Sequence, residues 1–216
     1  MKIKLCFLVD ANSIHARRWI EYFASRIEFD VFIVSTEYCA YTIANTKLLN
    51  LSKRINYGAI DAIGSSNTSE KPNFEKNNRF SLFKFIKRNY LYKKIRGSEI
   101  IFDYYKLLST LLLVNRVRKL ILEIKPDIVH AMRLPIEGWI AGFLNGPKLV
   151  VTTFGNDMIY YAKKYSLVKA FTNNIMSKTK LYFVDSERDR FISEIYGFQP
   201  SSLVQNTIVT GGIKID

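Results

Sequence analysis

The sequence predicts an α/β fold in which helices cover both faces of a parallel β-sheet. Short continuous apolar runs recur along the chain, at Ile3–Val9 and at residues 31–34, 149–151 and 181–184. Strands that are buried on both faces have such unbroken runs, because neither side of the strand meets water. Segments with helical periodicity lie between the runs, so the sequence indicates successive β-α-β units.

The size and composition of the chain are those of a globular protein with an anionic partner. Its 216 residues suffice for one large domain, and 48% of them are hydrophobic, which excludes a disordered chain. The formal net charge of +13 favours binding to nucleic acid, acidic lipid or a phosphorylated substrate. The two cysteines, Cys6 and Cys39, define no disulfide framework, and Cys6 lies in the first predicted strand. We therefore expect a reducing, cytoplasmic environment.

No targeting or membrane-spanning segment is predicted. The N-terminal apolar run is too short for a secretory signal and lacks a small-residue cleavage site. Residues 107–114 form the most apolar helical stretch, but a spanning helix needs about 20 such residues.

The first β-α-β unit is predicted from the start of the chain. A polar turn at residues 10–13 follows the first strand, and Ser13 is placed to cap a helix through its hydroxyl. The next strand is predicted at residues 31–34, parallel to the first through a right-handed crossover. The apolar face of the helix is predicted to comprise Ile20, Phe23, Ala24 and Ile27.

Three basic side chains, His15, Arg17 and Arg18, lie near the positive end of this helix's dipole. A bound anion would make their position favourable, whereas in the alternative interpretation the arginines are simply solvated. The turn at residues 10–13 contains no glycine, so the dinucleotide-binding GxGxxG fingerprint is absent. This absence argues against a sugar-nucleotide dehydrogenase or epimerase.

The middle of the chain is predicted to contain a third strand at residues 54–60 and a polar loop at residues 64–78. Residues 79–96 then interleave aromatic and basic side chains. Such a segment suits an anionic membrane surface, although a helix with a solvated basic face gives the same pattern. Stacking of single-stranded nucleic acid is a third reading, but no nucleic-acid module accompanies it, so we expect no nucleic-acid partner.

The second half of the chain is predicted to alternate helices and strands. Ser98 is placed to cap a long helix, and Pro135 is predicted in the first turn of another that ends at Gly146. Further helices are predicted near residues 167–176 and 187–197, and further strands at 128–129, 149–151, 181–184 and 202–204. The apolar face of the long helix is predicted to comprise Ile101, Tyr104, Leu108, Leu111, Leu112, Leu120, Ile121 and Ile124.

Polar residues that follow two neighbouring strands are the candidate functional residues, because ligands of open α/β sheets bind outside the carboxyl ends of the strands. They are His130, Arg133, Glu137, Gly155, Asn156 and Asp157. His130 has either a structural or a catalytic role, and Asp157 either caps the following segment or binds a hydroxylated ligand. Gly155 permits a backbone turn that leaves amide groups free to face a ligand.

Neither a metal site nor a familiar hydrolase motif is predicted. The chain has two histidines, His15 and His130, and two cysteines far apart in sequence, so no zinc cluster is expected. GxSxG and P-loop motifs are also absent.

Five segments, in the correct order, resemble retaining family 4 glycosyltransferases of the GT-B class. DANSIHARRWIEYFA resembles their first βα turn, and KPDIVHAMRLPIEG resembles their PDIVHxH segment. VVTTFGNDM resembles their VTxxGSD loop, and VDSERDRFISEIYG resembles the later strand and helix that carry V-S-E. QNTIVTGGIKID resembles the stretch that leads into their interdomain linker. The resemblance covers essentially the whole chain.

The resemblance implies the N-terminal, acceptor-side half of a GT-B architecture, which is a Rossmann-like domain. Residues 1–210 would form this domain, residues 211–216 would begin the interdomain linker, and the donor-binding domain would be absent from this chain. The enzyme would transfer a sugar, with retention, from a nucleotide-sugar donor to a cell-surface glycan or a lipid-linked acceptor. It would require no cofactor or metal, and would be cytoplasmic or peripheral on the inner face of the plasma membrane. This chain alone would be inactive.

The resemblance also implies roles for individual residues. His130 and Asp157 would be catalytic residues at the cleft between the two domains. Residues that would bind the acceptor or a phosphate are Asn12, Ser13, His15, Arg17, Arg133, Glu137, Gly155 and Asn156.

Two departures from the family pattern bear on activity. Met132 stands where the family often has a second histidine, and no two glutamates have the Glu-x7-Glu spacing of the donor domain. The donor would therefore be bound by a missing domain or by a partner subunit. The alternative hypothesis is a non-catalytic basic Rossmann-like module that binds anionic membrane or a partner subunit.

Overall fold

The computed structural model describes residues 2–51, 98–155, 157–161, 166–184 and 186–199. The chain divides into two compact units, residues 1–54 with 107–216 and residues 55–106, and the β-sheet belongs to the first. The strands are β1 (Ile3–Val9), β2 (Phe29–Ser35), β3 (Thr46–Asn50), β4 (Ile128–Met132), β5 (Lys148–Thr152) and β6 (Thr179–Phe183). The helices are α1 (Ile14–Ala24), α2 (Ser98–Ile124), α3 (Trp139–Gly142), α4 (Ser166–Met176) and α5 (Glu187–Ile195). A π-type turn occupies Asp157–Tyr161, and Leu134–Gly138 forms an irregular turn whose backbone is not helical at Pro135 and Ile136.

The six strands form one parallel sheet in the order β3-β2-β1-β4-β5-β6. Successive strands are added outward from β1 on one side as far as β3, after which the chain returns to the other side of β1. The switch point therefore lies between β1 and β4. Ligands of such sheets bind in the crevice outside the carboxyl ends of the strands at this point.

Both faces of the sheet are buried, which confirms the predicted α/β, Rossmann-like class. Cys6 and Leu8 of β1 join a core that contains residues of α2, α3, α4 and α5. Leu5, Phe7 and Val9 of the same strand face the opposite core, which α1 covers. Alternate side chains of β1 thus enter two different cores, and this explains its unbroken apolar run.

The cysteine prediction is confirmed among the described residues. Cys6 and Cys39 are both free and buried. Burial raises the pKa of the Cys6 thiol to about 12, so this side chain stays a neutral, small core residue.

Two details of the first β-α-β unit differ from the prediction. Helix α1 ends at Ala24, and Ile27 is exposed beyond it because the chain has already turned towards β2. Ser13 occupies the N-cap position with an extended backbone, but its hydroxyl makes no capping hydrogen bond. The buried face of α1 comprises Ala16, Ile20 and Ala24.

The third strand of the sheet is β3, Thr46–Asn50, and sequence analysis did not find it. This short edge strand is only partly buried, so it has neither a continuous apolar run nor a strict alternation. The strand expected at residues 54–60 lies outside the described residues, as do the segments 64–78, 79–96 and 202–204, and Asn156.

The predicted apolar face of α2 is partly wrong. Leu108 and Leu112 are 61% and 71% exposed, and Leu111 is also exposed. Leucine and isoleucine occur on every side of this helix, so its sequence does not define one stripe. The side chains of Ile101 and Tyr104 lie outside those described. Among the described side chains of α2, those that are buried are Leu107, Thr110, Val114, Val117, Ile121 and Ile124.

The segment after β4 also differs from the prediction. Pro135 does not lie in a helical turn, since its φ and ψ are −66° and 129°, and the following Ile136 has a φ of 74°. Helix α3 begins only at Trp139 and ends at Gly142. Elsewhere, Ser186 caps α5 by accepting a hydrogen bond from the Asp189 amide, as is typical of serine at this position. Among the described residues, no helix is both long and apolar enough to cross a membrane.

Candidate functional site

The carboxyl ends of β1, β4 and β5 bring three polar loops together at the switch point. The ring of His15, in the first turn of α1, stacks on Phe154, with centroids 5.1 Å apart and an interplanar angle of 28°. Phe154 and Gly155 belong to the loop after β5, and Arg133 to the loop after β4. These loops surround the position where this class of sheet binds its ligands.

Asp157 connects the loops after β4 and β5. Its carboxylate is buried and accepts hydrogen bonds from the amides of Leu134 and Phe154 at 3.2 and 3.3 Å. The guanidinium of Arg133 lies 3.5 Å from its second oxygen. Burial raises the pKa of Asp157, while Arg133 and the two amides oppose that rise. The side chain therefore holds the loops after β4 and β5 in place.

Arg133 presents a cationic group at the rim of these loops. Its side chain is 54% exposed, and within the described part of the chain Asp157 is its polar partner. A guanidinium carries five N–H donors, so most remain available to a carboxylate or phosphate. The backbone φ of 85° is rare for a residue other than glycine, and such positions concentrate at functional sites.

Glu137 lies behind this rim and is 5% exposed. The hydroxyl of Thr36, the first residue after β2, lies 2.5 Å from its Oε1. Burial is the main cause that raises the pKa of Glu137 to about 8; the Thr36 contact and Arg133 oppose the rise, and Asp10 adds to it. Glu137 is therefore mostly an uncharged acid at neutral pH. Its position favours support of the loop over direct contact with an anion.

His130 lies inside the sheet and not in the loop after β4. It is 2% exposed, since it occupies the middle of the strand and faces the rings of Phe7, Trp19 and Phe183 at 5.2, 5.1 and 6.0 Å. Its Nε2 lies 2.7 Å from the Thr152 hydroxyl. Burial lowers the pKa of His130 to about 3, so the imidazole is neutral. The expectation that it lies at the exposed strand end is wrong.

Met132, at the position where the family often has a second histidine, belongs to the same core as Phe7 and is buried. The side chains at positions 130 and 132 point to the same face of the sheet, because side chains alternate along a strand. Neither reaches the polar rim formed by Arg133 and Gly155.

Asn12 and Ser13 shape the turn before α1. The side-chain amide of Asn12 donates to the Asp10 carboxylate and to the carbonyl of Tyr38, both at 3.0 Å. The Ser13 amide donates to the Asp10 carbonyl at 3.0 Å, which closes the turn. Both residues therefore fix the loop that presents His15.

Arg17 is engaged elsewhere on α1. Its guanidinium lies 3.6 Å from Glu21 and 4.0 Å from the centre of the Tyr41 ring. It lines a shallow groove of about 300 Å³ whose other lining residues include Thr42, Ile43 and Asn45. The structure thus brings together His15, Arg133, Gly155 and Asp157, with Asn12, Ser13 and Glu137 supporting their loops, but it does not add Arg17 to this group.

Three residues of this site were not identified from the sequence. Thr36 and Asp10 directly follow β2 and β1, so the strand-end argument used for Arg133 would have selected them. Phe154 lies in the same loop as Gly155, which the sequence did select. The spacing of residues along the chain does not reveal that the Phe154 ring stacks on His15. Among the described residues, no group of three or more metal-ligating side chains is close enough to hold a metal ion.

Comparison of the sequence with known protein families gives a match, and the match includes the loops of this site. Residues 73–186, more than half of the chain, match the family described as glycosyl transferase 4-like. The matched region contains β4, β5 and the loops that carry Arg133, Glu137 and Asp157. No curated protein shows significant similarity to the chain. The family match, on a parallel sheet with its polar loops at the switch point, shows that the chain belongs to the glycosyl transferase 4-like family.

Proposed function

We propose that this chain is the acceptor-side domain of a retaining glycosyltransferase. The enzyme transfers a sugar from a nucleotide-sugar to a cell-surface glycan or a lipid-linked acceptor. The observation that carries the proposal is the half-exposed Arg133 at the switch point, inside the region that matches the glycosyl transferase 4-like family. An arginine at this edge suits a phosphate or carboxylate of either substrate.

The surroundings of Arg133 support an anionic ligand. The first turn of α1, which carries His15, contains no acidic residue, so its free amides and dipole favour negative charge. Gly155 is exposed with a φ of 54°, a conformation that glycine adopts without strain, and it places backbone without a side chain at the same rim. The buried acid Glu137 is mostly uncharged near pH 7, so it repels an anion less than a carboxylate would.

The donor nucleotide-sugar would be bound by a second Rossmann-like domain, in the same protein or in a partner subunit. Neither a metal ion nor a cofactor is required in this proposal, which follows the family pattern. The acceptor would enter between that domain and the rim formed by Arg133 and Gly155.

The test compares two arginines in the complete enzyme purified from its source. Arg133 and Arg188 are both more than half exposed and both contact a buried aspartate, at 3.5 and 3.2 Å. Incubation with a panel of labelled nucleotide-sugars and source membranes should detect transfer, and Arg133→Ala should lower kcat/KM by about 10- to 100-fold. Arg188→Ala, on α5, is the matched control and should retain activity.

Two results would contradict this proposal. Equal activity of both variants would remove Arg133 from the site. Failure of the wild-type enzyme to transfer any sugar from the panel would count against the transferase function itself.

We also propose that the protein is peripheral on the inner face of the plasma membrane. The support is the net charge of +13 together with the aromatic and basic residues at 79–96, whose structure lies outside the described part of the chain. Such segments bind anionic lipid through their basic side chains while their aromatic rings enter the interface.

A further inference from the structure

We propose that one face of helix α2 docks on an anionic lipid bilayer. The face consists of four exposed leucines, and we call it the leucine face. These residues are Leu108, Leu111, Leu112 and Leu122. Docking itself is independent of the reaction, whereas its consequence for the acceptor rests on the proposed function.

The leucine face lies on the side of α2 that is turned away from the protein core. Leu107, Val114 and Ile121 are buried in the core and recur every seven residues, so they share one side of the helix. At about 100° per residue, the four leucines instead fall within an arc of roughly 100° on the other side. Leu108 and Leu112, about one turn apart, are 61% and 71% exposed. Exposed apolar surface that is grouped in this way is typical of an interaction site.

Basic side chains flank the leucine face. Arg116 and Arg118 are exposed and lie roughly 80° to either side of its first leucine around the helix. Arg118 donates one hydrogen bond to the Phe143 carbonyl at 3.1 Å, which leaves its charge in place. The exposed Lys119 lies between the leucines, and Glu123 is the one acid among the described exposed side chains of α2. The charge of this face, like the net charge of +13, is therefore complementary to an anionic surface.

A lipid surface suits this face better than a protein partner does. A stable protein interface involves about 20–30 residues a side, whereas the leucine face is one helical stripe interrupted by Asn115 and Lys119. At a membrane, a lysine lays its aliphatic stem along the apolar layer and keeps its ammonium among the head groups. A second copy of the chain would bring the same positive charges together, which disfavours pairing through this face.

Docking through α2 brings the candidate site close to the membrane. The buried side of α2 belongs to the same core as Val129 and Ala131 of β4. One helix, about 10–12 Å across, therefore separates the lipid from the sheet whose carboxyl edge carries Arg133. A lipid-linked acceptor reaches this edge without leaving the bilayer, so we expect the acceptor to be lipid-linked and not a free glycan.

Co-sedimentation with vesicles of phosphatidylcholine and phosphatidylserine tests the leucine face. Replacement of both Leu108 and Leu112 by serine should lower the partition of the protein into the vesicles by roughly 10- to 100-fold, because binding scales with buried apolar area. The matched control replaces Ile14, in α1, and Ile27, just after it, by serine; they are 66% and 79% exposed. Because α1 covers the opposite face of the sheet, this variant should bind as the wild type does.

A fluorescent label at position 112 locates the contact directly and does not require the double variant to fold. The native Cys6 and Cys39 are both buried, so a thiol-reactive, environment-sensitive dye should attach selectively to Leu112→Cys. Its emission should shift to shorter wavelength when the vesicles are added. The same dye on Ile27→Cys should show no shift.

Four results would overturn docking through α2. Equal binding of the two double variants, or a dye on Leu112→Cys whose emission does not shift, would place the membrane contact on another face. A wild-type dimer in sedimentation velocity that becomes a monomer without Leu108 and Leu112 would make a second copy the occupant. Failure of the wild type to sediment with the vesicles would overturn both the docking and the proposed peripheral location.

Transfer assays separate the docking from the proposed function. In the complete enzyme, the double leucine variant should transfer roughly tenfold less sugar to source membranes. Its transfer to the same membranes dissolved in detergent should equal that of the wild type. If the vesicle tests show docking but intact membranes are glycosylated equally, the docking stands and the lipid-linked acceptor is wrong. If the wild type transfers no sugar at all, the transferase function fails while the docking stands.

Discussion

His130 and Thr152 form a polar pair inside an otherwise aromatic and aliphatic layer: Nε2 of the imidazole lies 2.7 Å from the threonine hydroxyl. The two residues belong to the neighbouring strands β4 and β5. Because His130 is buried and neutral, each of these polar groups satisfies the other without bringing charge into the core. The pair therefore joins the two strands whose loops carry Arg133 and Asp157.

We predict that His130 makes the protein sensitive to acid. The unfolded chain takes up a proton on this imidazole near pH 6.5, but the folded protein does so only near pH 3. Between these values the unfolded state binds more protons, so the free energy of unfolding decreases as the pH falls, by up to about 1.4 kcal/mol per pH unit. Urea unfolding at pH 7.5, 6 and 5 should show this slope. In His130→Gln the slope should be reduced, and His15→Gln, at an exposed position, is the control for replacing a histidine.

An unchanged slope in His130→Gln would contradict the assignment of this acid sensitivity to His130. That His130 takes part in catalysis stays a separate prediction. Its test is the turnover of His130→Ala in the complete enzyme, expressed per folded molecule, because a loss of folded protein would otherwise be counted as a loss of chemistry.

We predict that Asp157 contributes far more to stability than an exposed aspartate with a similar contact. In Asp157→Asn, an NH2 group replaces one of the two side-chain oxygens. The remaining oxygen can accept hydrogen bonds from the loop amides or from Arg133, but not from both. The free energy of unfolding should decrease by about 1–3 kcal/mol. Asp127→Asn is the control, since its exposed carboxylate accepts a hydrogen bond from the Lys4 amide at 2.8 Å. Its cost should stay below about 1 kcal/mol.

Equal costs in these two variants, measured by urea unfolding, would mean that Asp157 does not hold the loops after β4 and β5 together. A large cost for Asp157→Asn with unchanged kcat/KM of the folded enzyme would assign it a structural role alone.

We predict that residues 79–96 bind anionic lipid. The wild-type protein should sediment with vesicles of phosphatidylcholine and phosphatidylserine. A variant in which Lys87, Arg88 and Lys93 are replaced by glutamine should stay in the supernatant. Each basic residue near such a surface contributes about 1 kcal/mol, so three substitutions should weaken binding by roughly 100-fold. The control replaces three exposed lysines of the sheet-containing unit, which are Lys148, Lys169 and Lys180. Equal losses in both triple variants would show that only the net charge matters and would refute a dedicated segment.

The sequence predicted the central elements well because burial on two faces leaves a clear pattern. β1 was found at its observed bounds, and β5 and β6 were found within two residues of theirs, whereas the predicted end of β4 at Val129 lies three residues before the observed end at Met132. β3 was missed because an edge strand that is half exposed has no such pattern. Helix α2 was found, but its buried face was not, because leucines on all sides leave the choice to the tertiary packing.

The sequence predicted the location of the candidate site in the sheet, but it did not predict the contacts between the residues of the site. The rule that ligands bind at strand ends selected Arg133, Gly155 and Asp157. It also selected His130, which lies inside β4 and is buried, as are Ala131 and Met132 after it. The contact between Thr36 and Glu137 joins residues 101 positions apart, and nothing in local sequence reveals such a pair.

The central place of β1 in the sheet has a consequence for synthesis of the chain. β1 pairs with β2 soon after translation, but its other neighbour, β4, begins only at Ile128. At typical rates of about 5–20 residues per second, β1 waits roughly 6–25 seconds with one edge unpaired. During that interval its apolar residues and free backbone groups are open to chaperones and to other nascent chains. Among the interior strands of the sheet, β1 is thus the one that waits longest for its second neighbour.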